Sequence, residues 1–284
     1  MRQVRRIASL GILAALALLA GCATNEITGR KQLMMVPEST AVSQSAAAYA
    51  QMMGQLAAKH QIESGTARAQ KVQEITDRLI EQAIKLRPAS AGWKWEVRVI
   101  NDPNTVNAFC MAGGKMAIYT GMWEKLKITD EEIAQVMGHE ISHALADHTR
   151  ERMSVAYGTS GAVSIAAIAL GAGDQTAQLM QQAAVYAIQL PNSRESEAEA
   201  DRIGIELAAR AGYNPQSAVT LWQKMGQLGG TPPEFLSTHP SPQHRETALR
   251  ELGAKVQPLY AAAQADPAPR RRYVNAGEGE GSRR

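Results

Sequence analysis

Aromatic residues and net charge are both scarce in this chain. Phe, Trp and Tyr make up 5% of the 284 residues, and the formal net charge is only +3. Three of the 30 basic residues lie in the first six positions, and without them 27 basic residues balance 27 acidic ones. Proteins that bind nucleic acids generally need a basic surface and aromatic side chains that stack on bases. That class of function is therefore excluded, whereas a hydrophobic content of 45% suffices for a globular domain with a substantial core.

Cysteine is nearly absent, and its two copies do not suggest a disulfide. Cys22 follows an apolar N-terminal segment, and Cys110 lies in the sequence NAFCMAGG. If Cys22 is modified, Cys110 has no partner, so no intrachain disulfide is expected. We expect Cys110 to be a small buried hydrophobic residue rather than a nucleophile. Core packing must then stabilise the domain.

The N-terminal apolar segment is too short to favour a membrane span. It covers 14 residues, 7–20, whereas a spanning helix needs about 20. Arginines precede it, and small residues and Cys22 follow it, which is the order of an export signal. The segment therefore predicts a signal peptide at 1–21.

The residues around Cys22 add a lipid anchor to this prediction. Leu19-Ala20-Gly21-Cys22 resembles the lipobox of bacterial lipoproteins, in which cleavage before the cysteine leaves it lipidated. The resemblance implies a lipid-anchored tether at 22–38 on the periplasmic face of the envelope. Alanine rather than aspartate after the cysteine favours the outer membrane. An ordinary signal peptide is the alternative.

The remaining sequence predicts a mainly helical α+β domain at 39–257 and a disordered tail at 258–284. Strict alternation at 93–99 predicts a strand with one buried face, and 115–120 predicts a second strand. The two would form a small edge-exposed sheet. Helices are predicted at 39–60, 67–86, 129–150 and 192–212, with further helices starting at 214 and 241.

A small, apolar and uncharged segment, SVAYGTSGAVSIAAIALGAG, lies at 154–173. Its glycines and hydroxyl groups favour tight packing against the core, or a lid over 154–190, ahead of membrane insertion. Insertion would make the protein a transmembrane protein, which is a further alternative.

The sequence VMGHEISHALADH at 136–148 places two histidines around a glutamate in a helical pattern. Residues four apart in a helix lie on the same face, so His139 and His143 can bind one metal ion with Glu140 beside it. Two histidines with a structural role are the alternative. A third ligand distinguishes the two interpretations.

Catalytic zinc sites usually combine three protein ligands with a water molecule. The extended motif HExxHxxGxxH does not fit, because Ala146 and Thr149 stand at its glycine and histidine positions. His148 is one residue out of register, and we expect it to point away from the other two histidines. The remaining arrangement takes a glutamate from a later helix, and SRESEAEAD at 193–201 supplies several carboxylates.

The pattern S-R-x-x-E-x-x-A-D after H-E-x-x-H resembles the signature of a zinc metallopeptidase family. That family includes the CAAX prenyl proteases, the heat-shock protease HtpX and the mitochondrial Oma-type proteases. Residues 238–242, THPSP, followed by Arg245, resemble the H-P-x-P-x-x-R segment of its BepA-type periplasmic members. The resemblance covers about residues 40–254 and departs at Cys110, where a small residue is expected. Because no tetratricopeptide repeat domain is visible, the short lipoprotein members of the LoiP type fit better.

The resemblance implies a zincin-like (gluzincin) fold and one zinc ion per chain. Its predicted ligands are His139, His143 and Glu197, with Asp201 orienting a ligand histidine. Glu140 would accept a proton from the attacking water and pass it to the leaving amine.

Further residues receive roles from the same resemblance. His239 and Arg245 would stabilise the tetrahedral intermediate, with structural roles as the alternative, and His239 could instead bind zinc in a closed state. A strand beside the cleft would pair with extended substrate. Its predicted residues are Asn107, Ala108, Phe109, Gly113 and Gly114. No such role is expected for the solvated carboxylates Glu195 and Glu199 or for the exposed histidines His60 and His244.

The leading prediction is a membrane-tethered periplasmic zinc metalloendopeptidase that cleaves misfolded or unassembled envelope proteins. The peptidase prediction depends on the motif residues, and the quality-control prediction depends on the resemblance. The alternative is a lipoprotein chaperone or assembly scaffold with little proteolysis. The sequence does not indicate the substrate preference or the oligomeric state.

Overall fold

A computed structural model of the protein describes residues 22–159, 182, 185, 189–228, 233–239, 244–266 and 271–275. Helices predominate, so the mainly helical α+β class predicted from the sequence is confirmed. The strands are β1 (Cys22–Thr24), β2 (Lys31–Leu33), β3 (Ile62–Glu63), β4 (Glu96–Ile100), β5 (Ala108–Met111) and β6 (Lys115–Tyr119). The helices are α1 (Glu38–Ala58), α2 (Ala67–Leu86), α3 (Gly121–Leu126), α4 (Asp130–Leu145), α5 (His148–Thr159), α6 (Arg194–Arg210), α7 (Ser217–Gly226), α8 (Glu234–Thr238) and α9 (Arg245–Ala265).

The central sheet has the strand order β3-β4-β6-β5, with β4 and β6 parallel and the other neighbours antiparallel. Ala108 and Cys110 of β5 face a large hydrophobic cluster shared with α2, α4 and α6. Phe109 and Met111 face a smaller cluster shared with α1. The sheet is therefore covered on both faces at β5, and the buried position predicted for Cys110 is confirmed.

Helix α4 carries the HExxH motif through the interior of the domain. The hydroxyl of Thr129 accepts the backbone N–H of Glu132, and the Glu132 carboxylate accepts the backbone N–H of Thr129. These two reciprocal hydrogen bonds form a capping box at the start of the helix. Every residue from Glu132 to Leu145 is buried, so polar groups in this helix must find partners inside the protein.

Helices α4 and α6 touch through their backbones at two glycines. A Cβ atom on Gly138 would lie 2.9 Å from the carbonyl oxygen of Gly204. A Cβ on Gly204 would lie 2.7 Å from the backbone nitrogen of His139. Only glycine permits this approach, which brings the motif histidines within reach of the carboxylates on α6.

Helix α4 ends at Leu145, so the predicted continuation to about residue 150 is wrong. Asp147 adopts a left-handed backbone conformation with φ 58°, which aspartate tolerates better than most residues. The side-chain amides of Asn25 and Gln32 both donate to the carbonyl of Ala146. The chain therefore changes direction before α5 begins at His148.

Residues 22–38, predicted as a tether, are folded onto the domain. Strands β1 and β2 pair as an antiparallel hairpin, and Gln32 is buried. The backbone N–H of Val36 donates to the hydroxyl of Ser154, and the Arg150 side chain donates to the carbonyl of Val36. Cys22, the predicted lipidation site, is exposed at the start of the hairpin.

The predicted tail also begins later than expected. Helix α9 continues through Pro258 to Ala265, so it is longer than the short helix predicted there. Val274 is buried, and the backbone N–H groups of Tyr273 and Val274 both donate to Asp77. The domain boundary predicted at 257 is therefore too early.

The other predicted helices agree with the structure within a few residues at α1, α2 and α6, whereas α7 begins at Ser217 rather than at 214. Among the described residues, no helix combines the length and apolarity needed to cross a membrane. Most of the 154–173 segment lies outside those residues.

Candidate metal centre

His139 and His143 lie one turn apart on the inner face of α4. Both side chains are buried, and their Nε2 atoms are 3.0 Å apart. The two imidazole rings meet edge to face with centroids 4.7 Å apart. The helical spacing therefore directs two nitrogen donors to one point, as the motif predicted.

Helix α6 brings two carboxylates to the same point. One Glu197 oxygen, Oε2, lies 3.4 Å from Nε2 of His139, and the other, Oε1, lies 3.4 Å from Nε2 of His143. Asp201, one turn later, lies 3.1 Å from the other ring nitrogen of His139. The structure thus brings together the three predicted ligands and places the predicted orienting residue behind one of them.

The spacing of these donor atoms fits a zinc ion. Ligand atoms about 2.0–2.1 Å from zinc in a tetrahedral arrangement lie about 3.4 Å from one another. The Nε2 atoms of His139 and His143 are 3.0 Å apart, and each lies 3.4 Å from a different carboxylate oxygen of Glu197. Two imidazoles and a carboxylate are also ligands that zinc prefers.

Charge in the site is balanced between the histidines and Glu197. Burial lowers the pKa of His139, but the Glu197 and Asp201 carboxylates outweigh burial and raise it to about 9. Burial lowers the pKa of His143 well below its usual value. Burial opposes ionisation of Glu197, yet the neighbouring His239 and His139 lower its pKa. The site therefore holds an ionised carboxylate and one neutral imidazole ready to accept a cation.

Glu140 lies beside this cluster and is almost fully buried. Burial raises its pKa, and its Oε1 atom has no hydrogen-bond partner among the described residues. The same oxygen is 3.4 Å from Nε2 of His239. A buried carboxylate oxygen that accepts no hydrogen bond is costly unless something else occupies the space beside it.

His239 joins the cluster as a fourth potential ligand. Its Nδ1 atom lies 2.9 Å from Glu197 and 3.2 Å from Nε2 of His139, and the ligand atoms of all four residues lie within 4.8 Å of one another. The Asn192 amide is 3.2 Å from the same nitrogen, and the ring stacks on Phe235. The structure therefore places His239 among the predicted metal ligands, while residues 240–243 lie outside the described residues.

Arg245 lies behind the ligands. Its two terminal nitrogens donate to Glu197 at 3.0 Å and to Asp201 at 2.7 Å, and its guanidinium lies 3.7 Å above the Trp222 ring. The side chain is buried. In this arrangement Arg245 holds the two carboxylates of α6 rather than reaching towards a substrate carbonyl.

Comparison with known proteins agrees with this geometry. The model of peptidase family M48 matches residues 66–253, about two thirds of the chain. The chain belongs to peptidase family M48. Metallopeptidases of this family are zinc-dependent, so the resemblance and the cofactor predicted from the motifs are confirmed.

Individual relatives of this M48 chain are longer proteins. The mitochondrial metalloendopeptidase OMA1 of Arabidopsis thaliana is 39% identical over 178 residues, covering 61% of this chain and 35% of the relative. Human OMA1 is 30% identical over 259 residues, covering 87% of this chain and 48% of the relative. The beta-barrel assembly-enhancing protease of Escherichia coli is 28% identical over 172 residues, covering 57% and 35%. The chain thus spans about a third to a half of the length of these three relatives.

His148 of the M48 domain lies against the cluster, contrary to the sequence prediction. Its Nδ1 atom is 2.8 Å from Nδ1 of His143, and its Nε2 atom is 2.8 Å from Glu199. Burial lowers the pKa of His148. The prediction assumed one continuous helix, and the break at Asp147 returns His148 to the ligand face.

Glu199 was expected to be a solvated charge, and this expectation is wrong. Only 14% of its side chain is exposed, and it contacts both His148 and Arg30. These two groups outweigh burial and lower its pKa. Glu195 is exposed as predicted, and so are His60 and His244.

The predicted substrate strand corresponds to β5, the last strand of the sheet, with Asn107 immediately before it. Gly113 and Gly114 form the turn into β6 with φ angles of 78° and 77°. A Cβ on Gly114 would lie 2.3 Å from the Trp95 ring. The structure therefore gives the two glycines a conformational role in the β5–β6 turn.

Proposed function

We propose that this chain is a zinc metalloendopeptidase in which His139, His143 and Glu197 bind one zinc ion. The observation that carries the proposal is the convergence of these three donors at zinc-like separations beside the buried Glu140, whose Oε1 accepts no hydrogen bond among the described residues. Zinc bound there would polarise a peptide carbonyl and lower the pKa of a water molecule.

Glu140 is the proposed general base. Its carboxylate lies next to the ligand cluster, and its burial raises its pKa, which makes the carboxylate a better proton acceptor. It would accept a proton from the attacking water at Oε1, which accepts no hydrogen bond among the described residues, and transfer that proton to the leaving amine. The dry surroundings strengthen each of these electrostatic interactions.

We assign His239 and Arg245 different parts in this reaction. His239 contacts Glu140 as well as Glu197, so it can donate to a negatively charged oxygen in an open site. In the arrangement seen here His239 lies among the metal ligands. This position supports a closed state, in which substrate must displace His239 before it can reach the metal. Arg245 is a positioning residue, because it donates to Glu197 and Asp201.

The proposed substrates are misfolded or unassembled envelope proteins, bound as extended strands beside β5. The support is the position of β5 at the end of the sheet and the name of the Escherichia coli relative, a protease that enhances β-barrel assembly. The proposed location is the periplasmic face of the outer membrane, with lipid on Cys22. The lipobox-like sequence and the exposure of Cys22 support it.

The test compares the full mature chain with its Glu140→Gln and Glu195→Gln variants. All three should bind about one zinc ion per chain, and casein cleavage should fall by about 10²- to 10⁴-fold only in Glu140→Gln. Glu195 is the matched control because it is exposed on α6. Unchanged cleavage in Glu140→Gln would exclude Glu140 as the base. Zinc without cleavage in the unmutated protein would favour the chaperone or scaffold alternative.

A further inference from the structure

A chain of hydrogen-bonding groups leads from His143 to the N-terminal hairpin. It runs from Nδ1 of His143 to Nδ1 of His148 at 2.8 Å, then from Nε2 of His148 to Glu199 at 2.8 Å. The carboxylate of Glu199 accepts from Nε of Arg30 at 3.1 and 3.2 Å. The terminal nitrogens of Arg30 donate to both oxygens of Glu151. Apart from His143, all of these groups lie outside the set of metal ligands.

The carboxylate of Glu199 determines which ring nitrogens carry protons along this series of hydrogen bonds. An ionised carboxylate only accepts hydrogen bonds, so Nε2 of His148 must carry the proton that faces Glu199. A neutral imidazole has a single N–H, which leaves Nδ1 of His148 as an acceptor. The adjacent nitrogen of His143 must then donate to it. The remaining nitrogen of His143, Nε2, is left without a proton and with its lone pair directed at the metal site.

We propose that His148 and Glu199 form a relay that fixes the tautomer and ring orientation of His143, with Arg30 holding Glu199 in place. A ligand histidine usually donates the N–H of its other ring nitrogen to a single carboxylate or carbonyl. For His143 the relay provides this hydrogen-bond acceptor. His148 and Glu199 are therefore positioning residues. This inference depends on the proposed metal site but assigns residues that the motifs do not specify, because His148 lies outside HExxH and Glu199 occupies a variable position of ExxAD.

The test measures zinc affinity of the full mature chain by competition with a chromogenic chelator. His148→Leu fills a similar volume but offers no acceptor, and we expect it to weaken zinc binding about 10- to 100-fold. His148→Asn places an acceptor oxygen near the position of Nδ1, so it should recover zinc affinity to within about fivefold of the unmutated protein. His60→Asn, at an exposed histidine, should leave zinc affinity unchanged.

A second pair of variants tests the contact between His148 and Glu199. Glu199→Gln removes the charge that fixes the tautomer of His148 and should weaken zinc binding about fivefold. Glu195→Gln makes the same chemical change on an exposed part of the same helix and should have no effect. The visible absorption bands of the cobalt-substituted protein should shift in His148→Leu and Glu199→Gln, because the orientation of a ligand changes.

The outcomes separate the relay from the proposed function. Absence of zinc binding in the unmutated protein would overturn both. Zinc binding within about twofold of the unmutated value in folded His148→Leu and Glu199→Gln would overturn the relay alone. Equal losses in His148→Leu and His148→Asn would also overturn it, because packing rather than an acceptor would then be responsible. If His148→Leu does not fold, the glutamate pair decides, since Glu199→Gln must differ from Glu195→Gln.

Discussion

The two histidines of the HExxH motif occupy equivalent positions on one helix but are supported in different ways. His139 contacts Asp201 directly, and Arg245 in turn holds Asp201. Among the described residues, Nδ1 of His143 reaches a carboxylate only through His148, and that carboxylate is held from the N-terminal hairpin. The contact between His139 and Asp201 lies within the packed pair α4 and α6. The support of His143 requires contacts between residues 169 positions apart, so it depends on how the N-terminal segment docks.

The largest effect is expected from a change at Glu197, the ligand that contacts both histidines. Glu197→Gln keeps an acceptor for Arg245 but loses the charge that binds the metal, so zinc affinity should fall by more than about 100-fold. Chelator competition measures this loss, and circular dichroism checks that the helices persist. A loss no larger than that of Asp201→Asn would mean that Glu197 is not a ligand.

A direct comparison of the two supports should give the next largest effect. Asp201→Asn acts on the histidine that it touches, so it should weaken zinc binding about 30-fold, compared with about fivefold for Glu199→Gln. The same competition assay measures both variants side by side. Equal losses would show that the intervening His148 transmits the charge of Glu199 undiminished.

The two histidines should also differ in how protons compete with zinc. In the metal-free protein His139 holds a proton below about pH 9, whereas burial keeps His143 neutral. Zinc must therefore displace one proton, and zinc affinity should rise about tenfold per pH unit up to about pH 9 and then level off. Calorimetry in buffers of different ionisation enthalpy measures the released proton.

The variants sharpen this pH prediction. Asp201→Asn removes a carboxylate that raises the pKa of His139, so the plateau should begin at a lower pH. Glu199→Gln should leave the plateau where it is. A zinc affinity independent of pH between 7 and 9 would contradict the assignment of the proton to His139.

The smallest effect is expected at Arg30, which holds Glu199 from the N-terminal hairpin. Arg30→Gln keeps a donor near Glu199 but loses the paired contact with Glu151, so zinc affinity should fall about twofold. The free energy of unfolding should fall by about 1–2 kcal/mol, because the hairpin loses charge-assisted hydrogen bonds at a mostly buried position. Urea unfolding measures the second quantity. A loss of zinc affinity above tenfold would make the hairpin a dominant support rather than a distant one.

The parts of the site that follow from local periodicity were predictable from the sequence. The capping box at Thr129 and the one-turn spacing of His139 and His143 depend on residues within one helix. Glu197 and Asp201 came from resemblance to a family signature rather than from spacing alone. The sequence did not reveal the contact between Gly138 and Gly204, which brings the two helices together, because nothing local marks which glycines will face each other.

The errors arose where distant segments decide a local conformation. A helix reaching residue 150 was predicted from an unbroken run of helix-compatible residues, but Asn25 and Gln32 bind the carbonyl at its end and Asp147 turns the chain. The same contacts fold the predicted tether onto the domain. Polar residues in a short N-terminal segment carry no sequence signal that names their partners.

The turn at Asp147 also changes how related sequences can be interpreted. In an unbroken helix, a residue five positions after His143 would point about 140° away from it. Here the left-handed residue between them cancels that rotation, so the letters H-x-x-x-x-H describe two neighbouring rings. In another sequence the same two histidines would meet only if the residue before the second one tolerates a positive φ angle, as Asp, Asn or Gly does. The identity of that one residue is therefore as informative about the relay as the histidine itself.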